Sequence, residues 1–253
     1  MPRTRVNAAP WSPRFDAHPR FEAVLPGSAL LHSFDDFPSV EALDAALAAR
    51  LPTREGGGRY QLVRDAPRSR RRSGPPRERY DVLIDRDGTI PTREANWHDL
   101  LNAVVWASFP RAKSRVSARQ RRLHAQRDAS ATATHHRDRS QDALALLDEG
   151  GVLAVCTRAE HAAVCDALAQ GPDALWSLEA AGRARVLIFG HAVYEHLVHG
   201  AVSRAAVHPV ALDALPDELD ALRAAADLAL AARLDDPADL LAPGPYPAAP
   251  VAL

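Results

Sequence analysis

The sequence predicts an α+β fold, with several helices packed on a small antiparallel sheet. Three observations lead there. Two stretches carry helical spacing behind favoured N-caps, Ser39 and Asn96. Pro216 to Leu234 reads as a long Ala/Leu helix suited to packing. Asp142 to Val155 reads as a β-hairpin, two apolar runs around a turn built from Asp148-Glu149-Gly150-Gly151. A helix continuing to Glu149 is the competing assignment for that last segment.

Composition sets the frame. The chain has 253 residues, 47% hydrophobic and 25% charged, with a net charge of −1. Those values belong to an ordinary globular chain that can bury a core without disulfides or metal staples. No run approaches the ~18 apolar residues of a membrane span, and no apolar stretch follows the basic N-terminus as in a secretion signal. The expected location is cytoplasmic, with no membrane partner. Residues 1–33 are expected to be irregular, 34–235 to form one globular domain, and 236–253 to be a Pro-rich extended tail. Cys156 and Cys165 lack the close spacing of a zinc or redox pair and read as core residues.

Taken in order, Phe34 to Leu51 predicts a first helix, with Ser39 as its N-cap and Leu43, Leu47 and Leu51 at helical spacing. Tyr60 to Val63 is a short strand. Arg64 to Arg79 is a basic, Pro-containing loop, solvated in the plain reading and a nucleic-acid arm in the sharper one. Tyr80 to Ile84 reads as a strand, followed by Asp85-Arg86-Asp87-Gly88-Thr89. Strand plus DxDGT resembles the nucleophile motif of haloacid-dehalogenase-type phosphatases. The chain then runs through Ile90 to Arg93 instead of into a loop and helix, so a hairpin turn at Asp87-Gly88 is the preferred reading.

Asn96 to Phe109 predicts a helix that Pro110 ends, with Asp99 placed to return a capping bond to Asn96. His98 and Asn102 share one face four residues apart, and Arg93 stands just upstream. Arg111 to Arg127 then carries seven basic residues and no acid. This segment could meet phosphate, but it has no interleaved aromatic to stack on a base. Lys113, within it, is the chain's sole lysine, which reads either as a position where an ammonium and a guanidinium are not equivalent or as a chance survivor in an arginine-rich chain. His135-His136 lies in a polar, Ser/Thr-rich stretch. Arg158 to Ala169 reads as a short amphipathic helix broken by Gly171-Pro172, and Ala184 to Phe189 as a strand. From Gly190 a helix starts that sets His191, Glu195 and His199 on one face.

The predicted site joins two pieces. His98 with Asp99, and His191 with Glu195, are the candidate catalytic residues. The same four are the candidate ligands of a divalent metal, since side chains four apart on a helix converge. Arg93, Asn102 and Lys113 are the candidate substrate-binding residues, for a small anionic ligand. The leading expectation is a metal-dependent or acid/base hydrolase. The rival is a non-catalytic interaction domain whose polar residues form a structural network, with the basic 111–127 segment touching nucleic acid or another acidic partner.

A resemblance adds to this reading. Ile90 to Arg93 (IPTR), Asn96 to Trp106 (NWHDLLNAVVW), Phe109 to Lys113 (FPRAK), Arg139 to Leu153 (RSQDALALLDEGGVL) and Phe189 to Glu195 (FGHAVYE) occur in this order. Together they resemble a domain-of-unknown-function family found mainly in proteobacteria, over roughly Phe34 to Asp235. The resemblance accounts for Lys113, because FPR-Ala/Thr-Lys is one of the family's motifs. Members usually carry TLFDE where this chain has Ala145-Leu146-Leu147-Asp148-Glu149, and they often continue past the Pro-rich segment. The family implies positions and no mechanism. DxDGT is not among its motifs, which counts against the phosphatase reading.

Overall fold

The structure, a computed structural model, describes residues 9–54, 57–65, 80–129, 139–201, 203–236 and 250–251. It is α+β. Among the described N-terminal residues, coil and turns lead into short helical elements: a 3₁₀ turn at Pro19–Val24, α1 (Leu25–Ser28), a second 3₁₀ turn at Ala29–Leu31, and α2 (Val40–Leu47). Ser39 caps α2 by accepting the Ala42 N–H at 3.2 Å, and the helix is shorter than its sequence spacing predicts. Phe15, Phe21, Val24 and Leu31 of this segment are buried in the main core.

β1 (Gln61–Arg64) pairs in parallel with β2 (Thr89–Thr92), joining Gln61 to Thr89 and Arg64 to Thr92. Between them, Tyr80 to Ile84 is helical, not extended: α3 (Tyr80–Val82) passes into a π-helical turn at Leu83–Asp87. A five-residue apolar run is too short for its period to separate helix from strand. Gly88, at φ 70°, closes that turn with its N–H on Ile84 O at 2.9 Å. Asp-Gly is thus a helical C-cap rather than a hairpin, using the left-handed backbone that glycine tolerates. Asp85 pairs with Arg121 and Asp87 with Arg86, so neither stands at a strand end as a phosphatase nucleophile would. The basic 66–79 stretch and His135-His136 lie outside the described residues.

α4 (Trp97–Ser108) is buried along most of its length. Pro110 does not stop the helical path. It occupies the first position of α5 (Pro110–Ala129), where a missing N–H costs nothing. The next two N–H groups, of Arg111 and Ala112, donate to the Asp227 carboxylate at 3.1 and 2.8 Å. Asp227 comes from α10 (Leu219–Asp235), so that helix caps a neighbour as well as packing against it. Burial raises the Asp227 carboxyl above its ordinary range despite those two donors.

The predicted hairpin over Asp142 to Val155 is instead a helix followed by a strand: α6 (Arg139–Gly150) runs straight into β3 (Gly151–Thr157). Leu144 and Leu147, three apart, are the buried face of α6. The strand doubles back so tightly that a Cβ at Gly151 would lie 2.3 Å from Leu147 O. After a 3₁₀ turn at Arg158–Glu160 come α7 (His161–Gln170), α8 (Pro172–Ala180), β4 (Ala184–Ile188), α9 (His191–Val198), β5 (Ser203–Arg204) and β6 (Ala206–Leu212). Of the expected C-terminal tail, β7 (Pro250–Val251) is described, antiparallel to β5.

The central sheet has the order β4-β3-β6. It is mixed rather than wholly antiparallel: β4 runs against β3, with Ala154 opposite Val186, and β6 runs with β3, with Ala154 opposite Pro209. β3 is buried at every position but its last, and a strand covered on both faces accepts a parallel neighbour. Cys156 is buried on it, and Cys165 is half-buried on α7. No described helix is long and apolar enough to cross a membrane.

Gly190 joins β4 to α9 and brings the second half of the candidate site into place. Its N–H and that of Phe189 both donate to Gly151 O, at 2.7 and 3.0 Å. An added Cβ would lie 2.5 Å from Glu149 O and from Gly151 N. Its φ of −69° is ordinary, so the constraint is steric. Gly190→Ala is expected to cost about 3 kcal/mol, the upper end for overpacking. Denaturant unfolding checks this, and a loss under about 0.5 kcal/mol would show that the junction has slack.

Candidate functional site

The site begins at the N-terminus of α4. Asn96 Oδ1 accepts the Asp99 N–H at 3.0 Å, the expected cap. Asp99 does not return the bond. Its carboxylate accepts from Arg93 instead, from the backbone N–H at 2.7 Å and from Nε and Nη2 at 2.8 Å each. This fork-on-fork pair fixes Arg93 beside the helix start and leaves its remaining guanidinium N–H groups for other partners.

His98 meets two groups from α9. Its Nδ1 donates to Glu195 Oε2 at 2.9 Å, and its Nε2 lies 3.0 Å from His191 Nε2. The imidazoles cross nearly edge to face, with 79° between their planes. His191 Nδ1 lies 2.8 Å from Asp148 O, and a carbonyl can only accept. His191 therefore carries its proton on Nδ1 and offers a lone pair at Nε2. For that 3.0 Å contact to be a hydrogen bond, His98 must donate from Nε2 while also donating from Nδ1. That makes His98 an imidazolium between a carboxylate and a neutral imidazole.

The electrostatics agree. The hydrogen bond His98 donates to Glu195 holds its pKa above the ordinary value, against the opposing effect of burial. The same bond holds the Glu195 carboxyl below its usual range. His191, 3% exposed, is pushed by burial down to about 3, despite the neighbouring Asp148 charge. Two imidazoles in contact are thus driven to opposite protonation states, one by a carboxylate and the other by desolvation.

Lys113 builds the wall behind them. The residue is 2% exposed, and its ammonium donates to Asn102 Oδ1 at 2.7 Å, pairs with Asp148, and sits 5.6 Å from the centre of the Trp106 ring. Because lysine only donates, it settles the Asn102 amide: oxygen to Lys113, nitrogen to the Tyr80 hydroxyl at 2.9 Å. Burial would raise the Asp148 carboxyl, but the Lys113 charge outweighs it and holds the group low. Tyr80 is 42% exposed as a residue, yet its hydroxyl is turned inward, and burial raises its pKa. Having accepted from Asn102, that hydroxyl still has its own proton to donate.

Tyr80, Arg93, His98, Asp99, Asn102, Asp148 and His191 line a cleft of about 270 Å³, together with Gln120, Ala145 and Glu149. All seven residues singled out in the sequence come to this region, five on the wall, with Glu195 behind His98 and Lys113 behind Asn102 and Asp148. The cleft is charge-balanced, not basic, since Arg93 and Lys113 each already carry a carboxylate. Among the described residues, no group of three or more His, Cys, Asp or Glu side chains could hold a metal ion. His98, Asp99, His191 and Glu195 do not form one: Asp99 is engaged by Arg93, and Glu195 occupies the ring nitrogen of His98 that faces away from His191. Sequence reasoning missed Tyr80 and the site role of Asp148, because both lie in segments it read as strand and turn. The sole lysine was the available signal for Asp148, since a buried ammonium requires a carboxylate partner.

The basic 111–127 segment is largely absorbed by the fold. Arg119 is buried and donates to Leu234 O at 3.1 Å and Asp236 O at 2.7 Å, while Arg115 pairs with Asp235 and Arg121 with Asp85.

The protonation states give a pH test. His191 has a folded pKa far below its ordinary 6.5. The stability this contributes is present in full above about 6.5 and is lost as pH falls towards about 3, because the unfolded chain takes up the proton first. His98 has the opposite sign: its contribution is full below 6.5 and is lost as pH rises through its raised folded value. Unfolding free energy measured from pH 7.5 to 4.5 should fall, and should fall less steeply in His191→Asn, whose amide can still reach Asp148 O. Equal slopes would show that His191 is not held neutral.

No curated protein and no solved structure matches the chain. A family model does, over residues 69–252, described as a protein of unknown function, DUF3025. That match takes in most of the chain, including every residue of the cleft, and the chain belongs to the DUF3025 family.

Proposed function

We propose that the protein is an acid/base hydrolase of a small substrate bearing one anionic group, with His98 as the proton-transferring residue. The observation that carries this reading is the position of His98: bonded to Glu195 on one nitrogen and to His191 on the other, at the wall of a cleft. Its side chain is 33% exposed, so it is the member of the pair that substrate or water can reach.

Water or substrate oxygen takes the place of His191 at His98 Nε2. His98, once neutral, accepts the proton of the attacking water, and Glu195 stabilises the imidazolium formed. The same proton then passes to the leaving-group oxygen, so that one water is consumed and His98 returns to its starting state. Glu195 and His191 are positioning residues: one raises the basicity of His98, the other holds its ring when the cleft is empty. The remaining N–H groups of Arg93 and the Tyr80 hydroxyl supply donors for the anionic group.

The test is hydrolysis of p-nitrophenyl phosphate and of p-nitrophenyl carboxylic esters by the purified protein. His98→Ala should lower kcat/KM by at least the ~10²-fold typical of a general acid/base. Glu195→Gln should lower kcat and move the acid limb of the pH–rate profile to lower pH, because the carboxylate that raises the His98 pKa is gone. Turnover unchanged by His98→Ala would overturn the proposal. Stoichiometric metal that is lost in His191→Ala would replace it with a metal-dependent mechanism. No turnover, with His98→Ala merely less stable, would favour a structural hydrogen-bond network.

A further inference from the structure

A second cavity, larger than the cleft, lies elsewhere. A groove of about 770 Å³ runs between α5, the last turns of α10 and the Pro52–Arg54 segment. Helical periodicity separates it from the cleft. Arg111, Arg115, Ala118 and Arg122 follow one another at three- and four-residue steps on one face of α5, and all four line the groove. On the opposite face, Gln120 lines the cleft and Lys113 bonds to Asn102 and Asp148 of its wall.

The groove is basic where the cleft is balanced. Five guanidiniums line it, those of Arg54, Arg111, Arg115, Arg121 and Arg122, against two carboxylates, Asp85 and Asp235. Both carboxylates are already engaged, with Arg121 and Arg115 respectively. Arg54 is held in place by donating to Asp85 O at 3.3 Å and Arg86 O at 2.5 Å. Among the described residues, no carboxylate is hydrogen-bonded to the guanidinium of Arg111 or of Arg122, and both residues are exposed. Formal charge in the groove is therefore +3, five arginines less two acids.

We infer that this groove binds a small molecule carrying two or more phosphate groups, held chiefly by Arg111 and Arg122 with Arg54 and Arg121 beside them. Planar guanidinium forks match phosphate oxygens in pairs, which suits a groove furnished with arginine alone. The one aromatic in it, Tyr60, is 8% exposed and presents no open face for a base. A single-stranded nucleic acid needs such stacking platforms, so the groove favours a compact polyphosphate over a strand. Leu228, 55% exposed on α10, and Ala232 supply an apolar flank for the rest of the ligand.

Calorimetric titration with inorganic pyrophosphate and tripolyphosphate tests this on the full chain. Both should bind, tripolyphosphate more tightly, with affinity falling as salt rises. The double variant Arg111→Gln, Arg122→Gln changes two exposed side chains and should weaken binding at least tenfold while leaving thermal unfolding unchanged. Arg93→Gln, which alters the cleft, should bind as the parent does. No binding at millimolar pyrophosphate, or binding insensitive to the double variant, would overturn the inference. Binding lost in Arg93→Gln would overturn it by placing the phosphates in the cleft. Tighter binding of a single-stranded oligonucleotide than of tripolyphosphate, abolished by the double variant, would overturn it in favour of a nucleic-acid surface.

Discussion

One buried ammonium holds the candidate site together. Lys113 on α5 reaches Asn102 on α4 and Asp148 on α6, and by doing so ties three helices at one point. The consequences propagate outward. Asp148, held by its side chain, presents its backbone carbonyl to His191 and so dictates which nitrogen of that ring keeps its proton. His191 in turn decides what His98 meets. Remove the ammonium, and a half-buried carboxylate loses the charge that keeps it ionised. A guanidinium has the charge but not the shape: the site needs a compact head that donates in two directions within a small space. That is a physical reason for a lysine in a chain that otherwise relies on arginine.

The fold places these groups by short connections rather than by long reach. α6 passes into β3 without a loop, and β4 into α9 through Phe189 and Gly190. Because β3 and β4 are paired, the end of α6 and the start of α9 are forced side by side, with both Phe189 and Gly190 bonded to Gly151 O. Asp148 and His191 therefore meet as a result of sheet register. The two glycines at this crossing serve close approach, since each faces backbone atoms where a Cβ would sit.

How much of this could be read beforehand depended on whether the signal was local. Asn96 as a cap, the helix it starts, and the pairing of His191 with Glu195 on one face follow from spacing within a single element, and they were legible. So was the α+β class. The hairpin over Asp142 to Val155 was misjudged because a helix end and a strand start share the same apolar run, and what separates them is tertiary: Leu144 and Leu147 face the core, while Gly151 folds back over Leu147. The strand read at Tyr80 failed for the same reason. Asp99 was expected to complete a capping box and instead binds Arg93, because a guanidinium offers a charged donor pair that a single backbone N–H does not match. Asp227 lay in a segment read as packing only, and its capping of α5 is a contact across 115 and 116 residues of sequence that no local pattern carries.

The N-terminal segment deserves a last consequence. Trp11 stacks on Trp97 with ring centres 5.4 Å apart, Trp97 Nε1 donates to Ala9 O at 2.8 Å, and Phe21 packs on Tyr194 at 4.8 Å. These contacts cover the first turn of α4 and the back of α9, the two helices that carry His98 and His191. Yet residues 9–54 precede residue 69, where the family match starts. The matched region and the buried core are thus different lengths of chain. A chain cut back to the matched region would bare the rings of Trp97 and Tyr194 that this segment covers.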